Sequence, residues 1–159
     1  AASMSAAMGD GDSAITYLNT LLERYIRPNT MYSETGPVLE TPLSAAQTVH
    51  DMLLQSWGDT IRVFPAVPAA WGDASFRDLR AQGAFLVSAT RKGGQTSSVR
   101  VKSLAGEPLR LKHGIHGDIT VSPVNGRNPV TAFAADRVIT LELGGGEEVF
   151  ISPRHIGHD

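Results

Sequence analysis

Between residues 32 and 50 the sequence gathers Tyr32, Glu34, Glu40 and His50 into one loop and the helix that follows it. A phenol, two carboxylates and an imidazole can exchange protons and hydrogen-bond a polar ligand. Glu40 also has a plainer use, because an acid at a helix N-terminus is stabilised by the helix dipole by ~0.3–1 kcal/mol. His50 equally suits a partly exposed helix position. A second group, His113, His116 and Asp118, has donor types and spacing that could grip a metal. It lacks the ligand count and flanking scaffold of such sites, and a solvated hairpin loop is the simpler reading. No metal and no cofactor is expected. Gly144, Gly145 and Gly146 lie between two predicted strands; with no helix after them they make a turn and no phosphate cradle. Ser13, Ser33 and Ser44 lack the Gly-x-Ser-x-Gly setting of a serine hydrolase. His155 and His158 belong to the tail and carry no chemistry in this reading.

The elements that must position these groups fall into two halves. Ala1 to Met8 is rich in helix formers and stops at Gly9-Asp10-Gly11. Asp10 or Asp12 can cap a second helix, in which Ile15, Leu18, Leu22, Tyr25 and Ile26 recur at three and four to form one apolar stripe closed by Pro28. Two helices joined by so short a turn make an antiparallel hairpin. Asn29 to Pro42 reads as an ordered loop. Thr41 as N-cap and Pro42 at the first helical position open a third helix through Ala45, Ala46, Val49, Leu53 and Leu54, ending near Trp57-Gly58.

After Gly58 the period changes from helical to alternating. Ile61 and Val63, then Phe85, Val87 and Ala89, a turn at Lys92 to Gln95, and Val99 with Val101 predict strands and a hairpin. Leu109 and Leu111, Ile119 and Val121, Val138 to Leu143, and Val149 to Ile151 continue at roughly ten-residue spacing with Gly, Pro and Asn between them. The expected fold is α+β: helices over 1–58, then an antiparallel β-sandwich over 59–159. So few helices bury little surface at ~25 cal/mol per Å², so the α part is expected to be the end of something larger.

Composition narrows the function classes. A hydrophobic share of 42% with 19% charged residues is globular, and a net charge of -2 supplies no basic field for nucleic acid. No run of about 18 apolar residues is present to cross a bilayer, and Ala1 to Gly9 lacks the basic and apolar regions of a signal peptide. The absence of Cys rules out disulfides and thiolate metal sites. A membrane partner is not expected.

Three segments carry a resemblance: Asp51-Met52-Leu53-Leu54-Gln55-Ser56; Ile61-Arg62-Val63-Phe64-Pro65-Ala66-Val67-Pro68-Ala69-Ala70-Trp71; and Leu79-Arg80-Ala81-Gln82-Gly83-Ala84-Phe85. In these words and in this order the chain resembles the C-terminal region of glycoside hydrolase family 95, the α-L-fucosidase and α-L-galactosidase group. The resemblance implies that the Met-Leu-Leu-Gln-Ser helix closes an (α/α)6 barrel and that the Pro-Ala-x-Pro segment leads into a C-terminal β-domain. Gly9 to Asp12 with Tyr17-Leu18-Asn19 look like the preceding barrel hairpin. An Asp of the family, in an Asp-Gly-Asn context, polarises an Asn that activates the attacking water of an inverting hydrolysis. Counting back from the matched helix without gaps places that Asp on Glu40, where Glu40-Thr41-Pro42 replaces Asp-Gly-Asn. The family's acid Glu and base Asn lie upstream of this region, so the resemblance gives this chain one catalytic candidate, Glu40. Tyr32, Glu34 and His50 become candidate substrate-binding residues if the loop folds back toward it. The implied partners are a carbohydrate substrate and either an upstream catalytic domain of the same polypeptide or a second copy; the implied location is extracellular or secreted. Alone, the chain is expected to be inactive.

A different class of function also fits. The β-half makes up about two thirds of the chain and could be a non-catalytic carbohydrate-binding or protein-interaction module, with the helices as a docking handle.

Overall fold

In a computed structural model of the chain, residues 1–29, 31–33 and 40–154 are described, and the fold divides into two units. The first combines Ala1–Leu53 with Pro65–Ala70, the second Leu54–Phe64 with Trp71–Asp159.

The first unit holds three helices, α1 (Ala2–Ala7), α2 (Gly11–Tyr25) and α3 (Glu40–Leu53). Of the two acids that could cap α2 it is Asp10 that does so, its side chain accepting from the Ser13 N–H at 2.9 Å. That bond holds the Asp10 carboxyl below the usual carboxylate range. Ala14 and Leu18 form the buried face of α2, whereas Leu22 and Tyr25, from the same predicted stripe, are exposed. Helix α3 starts at Glu40, ahead of the expected cap at Thr41. Pro42 therefore sits in the first turn, where its missing N–H has no intrahelical acceptor to lose.

The segment Pro65–Ala70 is fastened to the helices by backbone contacts. The Asp12 carboxylate accepts from the Ala69 N–H at 2.9 Å, and the Met52 carbonyl accepts from the Ala66 N–H at 3.2 Å. Gly11 makes this approach feasible. A Cβ there would lie 2.6 Å from the Ala66 carbonyl carbon and nearer still to its oxygen. Glycine is thus required here for close backbone approach.

The second unit carries ten strands: β1 (Leu54–Gln55), β2 (Ile61–Val63), β3 (Ala74–Ala81), β4 (Phe85–Lys92), β5 (Gln95–Ser103), β6 (Pro108–Lys112), β7 (Ile119–Asn125), β8 (Val130–Ala134), β9 (Val138–Glu142) and β10 (Glu148–Pro153). They form two five-stranded sheets, ordered β1-β2-β6-β9-β8 and β3-β4-β5-β10-β7. The expected sandwich is therefore present. Pairing is antiparallel except between β2 and β6, which run parallel. The alternation works as the sequence predicts: Phe85, Val87 and Ala89 on β4 point inward, as do Val99 and Val101 on β5. Leu109, Leu111, Ile139 and Leu141 supply the same layer from the other sheet. Each of these side chains larger than Ala89 contributes ~1.5–3 kcal/mol when fully buried.

Two elements differ from the sequence reading. Leu54 and Gln55 are not the last turn of α3; they pair with Val63 and Arg62 as strand. Both are buried in succession. Strand β3 is absent from the sequence reading and pairs with β4 from Ala74 to Ala81 through a bulge between Phe76 and Leu79.

Candidate functional site

Glu40 stands at the start of α3 on the rim of a cleft of about 420 Å³ within the helical unit. Tyr17 and Tyr25 from α2 and Ser44 and Thr48 from α3 share its walls. The positions follow from helical spacing: Glu40, Ser44 and Thr48 recur at four and share one face. Thr48 is buried and ties α3 to α1 through a 2.7 Å hydroxyl contact with Ser3, while its hydroxyl also lies 2.8 Å from the Ser44 carbonyl, to which it donates. Tyr17 and Tyr25 are about half exposed. A carboxylate, two phenols and a hydroxyl around a cleft of this size suit a small polyol, which offers apolar ring faces and a rim of hydroxyls.

The other sequence candidates take different places. Tyr32 is half-buried and returns to α2, its backbone bridging Ile26 and its ring 6.0 Å from that of Tyr25. The Ser33 N–H donates to the Tyr25 carbonyl at 2.7 Å and so fixes this return. Tyr32 is thereby linked to the cleft through Tyr25. His50 lies ten residues along α3 from Glu40, a rise of ~15 Å, and so does not join it. The ring of His50 is about a third exposed, but its Nδ1 is turned inward, 3.9 Å from Asp51 Oδ1 and beyond hydrogen-bonding distance. Glu34 lies outside the described residues, as do His155 and His158. Sequence reasoning missed Tyr17 and placed Tyr25 on the apolar stripe. Their phenol groups at the outer margin of α2 were the available signal.

Of the group His113, His116 and Asp118, the last two are exposed as a solvated loop requires, and His113 alone departs from that expectation. His113 is buried just after β6, and its Nδ1 accepts from the Ile115 N–H at 3.1 Å. The ring therefore carries its proton on Nε2. Burial, with the Arg137 charge adding to it, holds His113 below the ordinary imidazole range. Gly114 follows at φ 70°, and a Cβ there would meet the Thr96 hydroxyl at 2.9 Å. His116 is exposed and its Nε2 lies 3.2 Å from the Arg137 guanidinium. Among the described residues no group of three or more His, Asp or Glu is placed to hold a metal.

The glycine turn between β9 and β10 is a turn, as expected. The Glu147 carboxylate closes it by accepting from the Gly144 N–H at 2.6 Å, and that bond holds its carboxyl below the usual range.

Residues 55–151 match the family profile described as glycoside hydrolase family 95, C-terminal domain. The chain belongs to glycoside hydrolase family 95. Among curated proteins none matches it. The matched residues of this family 95 chain include the whole of β2 to β9 and most of β10. Of the three segments that carried the resemblance they include Ile61 to Trp71 and Leu79 to Phe85 whole and only Gln55 and Ser56 of the first, and they do not reach α3 and Glu40. Membership of a glycoside hydrolase family makes carbohydrate the ligand chemistry to consider for both units. Among the described residues no helix is long and apolar enough to cross a membrane.

Proposed function

We propose that this family 95 chain is the C-terminal part of an inverting glycoside hydrolase acting on α-L-fucosides or α-L-galactosides, with Glu40 as a catalytic carboxylate. The observation that carries the reading is the position of Glu40 on the rim of a tyrosine-walled cleft. Inverting hydrolysis needs an acid on one face of the sugar and a base-activated water on the other. A carboxylate at the α3 N-terminus could orient the amide or water that serves as base, where the identity of the acid matters less than its reach. Glu40 is one methylene longer than the Asp of the family, which lets it reach the same point from a helix start. The general acid and the water-activating amide are supplied upstream in the family, so the 159-residue chain alone is inactive in this reading. Tyr32 supports the cleft through Tyr25. A secreted or extracellular location accompanies the proposal.

The test uses the longer polypeptide that includes the upstream catalytic region. Glu40→Gln should lower the hydrolysis rate of a fucoside or galactoside by ~100-fold or more, with the fall in kcat rather than KM. An unchanged kcat removes Glu40 from the mechanism.

A further inference from the structure

The outward face of the β3-β4-β5-β10-β7 sheet carries a groove of about 610 Å³, lined within the second unit alone. The strand register explains its composition. Ser88, Arg100 and Phe150 line the groove and stand in one row across β4, β5 and β10, which Ser122 continues on β7 outside the lining. At ~4.8 Å between strands the row is ~14 Å long. Thr90 and Ser98 form the neighbouring row. Their strands' inward positions are filled by Val87, Val99, Val101 and Ile151, so the fold's core explains none of the outward side chains.

Two features set this face apart from ordinary solvated sheet. Phe150 is 40% exposed at the centre of the row, an aromatic surface that the core does not use. At the far side of the groove, with β4 and β5 between it and β10, the bulge in β3 holds Asp78 at φ 52°, a left-handed conformation costly for a residue with a side chain. The Ser88 hydroxyl stabilises it, accepting from the Asp78 N–H at 2.9 Å and donating to its carboxylate at 3.2 Å. The strained acid is thus held over the groove.

Charge then selects the ligand. Arg100 is paired with Glu148, and Arg77 and Asp78 enter as opposite charges, so the four cancel. A neutral groove offers no attraction to phosphate or nucleic acid. An exposed ring flanked by hydroxyls, a carboxylate and a guanidinium matches a sugar, whose ring presents C–H groups on a face and hydroxyls at its edge.

We propose that this groove is a binding site for a neutral oligosaccharide, with Phe150 as the platform for a sugar ring and Asp78, Ser88 and Arg100 as partners for its hydroxyls. The ligand class rests on the family membership and not on the role of Glu40. Such a site would hold a glycan on the sandwich independently of hydrolysis.

The test is titration calorimetry of the 159-residue chain with neutral oligosaccharides ending in L-fucose, in galactose and in glucose, and with a heparin oligosaccharide as an acidic control. One or more neutral oligosaccharides should bind, and Phe150→Ala should weaken that binding at least tenfold while circular dichroism shows the fold retained. Arg100→Met probes the same row without touching the ring, so that a folding defect in one variant leaves the other decisive. Absence of binding by every neutral oligosaccharide at millimolar concentration overturns the proposal. So does unchanged affinity in a folded variant, or a preference for heparin. Because Glu40→Gln is read by hydrolysis in the longer polypeptide and the groove by binding in this chain, failure of either is distinguishable from failure of the other.

Discussion

Replacing Gly11 by Ala tests whether the Gly-Asp-Gly-Asp words near the start exist to receive the Pro65–Ala70 segment. The added Cβ would stand 2.6 Å from the Ala66 carbonyl carbon, where ordinary contact is ~3.5–4.0 Å. The segment or the start of α2 must therefore give way by about 1 Å. A shift of that size lengthens the 2.9 Å bond from the Ala69 N–H to Asp12 to ~3.9 Å, past any hydrogen bond. The bond from the Ala66 N–H to the Met52 carbonyl, already 3.2 Å, goes with it. A bond to a carboxylate is worth ~1.5–3 kcal/mol and a neutral one ~1 kcal/mol. Alanine recovers up to ~1 kcal/mol of helix propensity, and less than that in the first turn. The expected net loss is ~2–3 kcal/mol. Urea unfolding followed by the helical circular dichroism signal measures it, with Gly72→Ala as the control because nothing lies within 4 Å of a Cβ at that position. Equal midpoints for Gly11→Ala and Gly72→Ala would refute the argument, since the close approach would then carry no free energy.

Two further predictions concern the sandwich. Phe85 is 2% exposed, and Phe85→Ala should cost ~3–5 kcal/mol by urea unfolding followed through the β-sheet signal, the cost of a cavity at the centre of the core. His113 should make the sandwich sensitive to acid. Its folded-state pKa is depressed, so the stability it confers is present above the unfolded value near 6.5 and declines as pH falls below it. The slope from this one group cannot exceed ~1.4 kcal/mol per pH unit. Protonation would also set two donors, Nδ1–H and the Ile115 N–H, against each other. His113→Asn keeps an acceptor and removes the titration, so its stability between pH 7 and 5 should fall less steeply than that of the parent; parallel curves would show that His113 does not titrate with unfolding.

The sequence by itself determined the class of the fold and its family. Period-two alternation at Phe85, Val87, Ala89, Val99 and Val101 makes sheet the conformation that buries them all on one side, and helical spacing at Ala14 and Leu18 does the same for α2. These are local periodicities, legible without knowing the partner. The family was legible in three segments, Asp51 to Ser56, Ile61 to Trp71 and Leu79 to Phe85, because it is carried by residue order and needs no knowledge of contacts. What the sequence left open depended on contacts far apart in the chain. Strand β8 is short and exposed along Val130, Ala132 and Phe133, so no alternation marked it. Leu54 and Gln55 became strand because Val63 and Arg62 lie beside them. His113 was drawn inside by the turn at Gly114, which spacing alone could not reveal. Glu40 and His50 share a helix in the sequence and remain ~15 Å apart in space, whereas Tyr17 and Tyr25 reach the Glu40 cleft from another helix. Local period set each element and its buried face; only tertiary packing, which depends on residues distant in the chain, decided which side chains share a site.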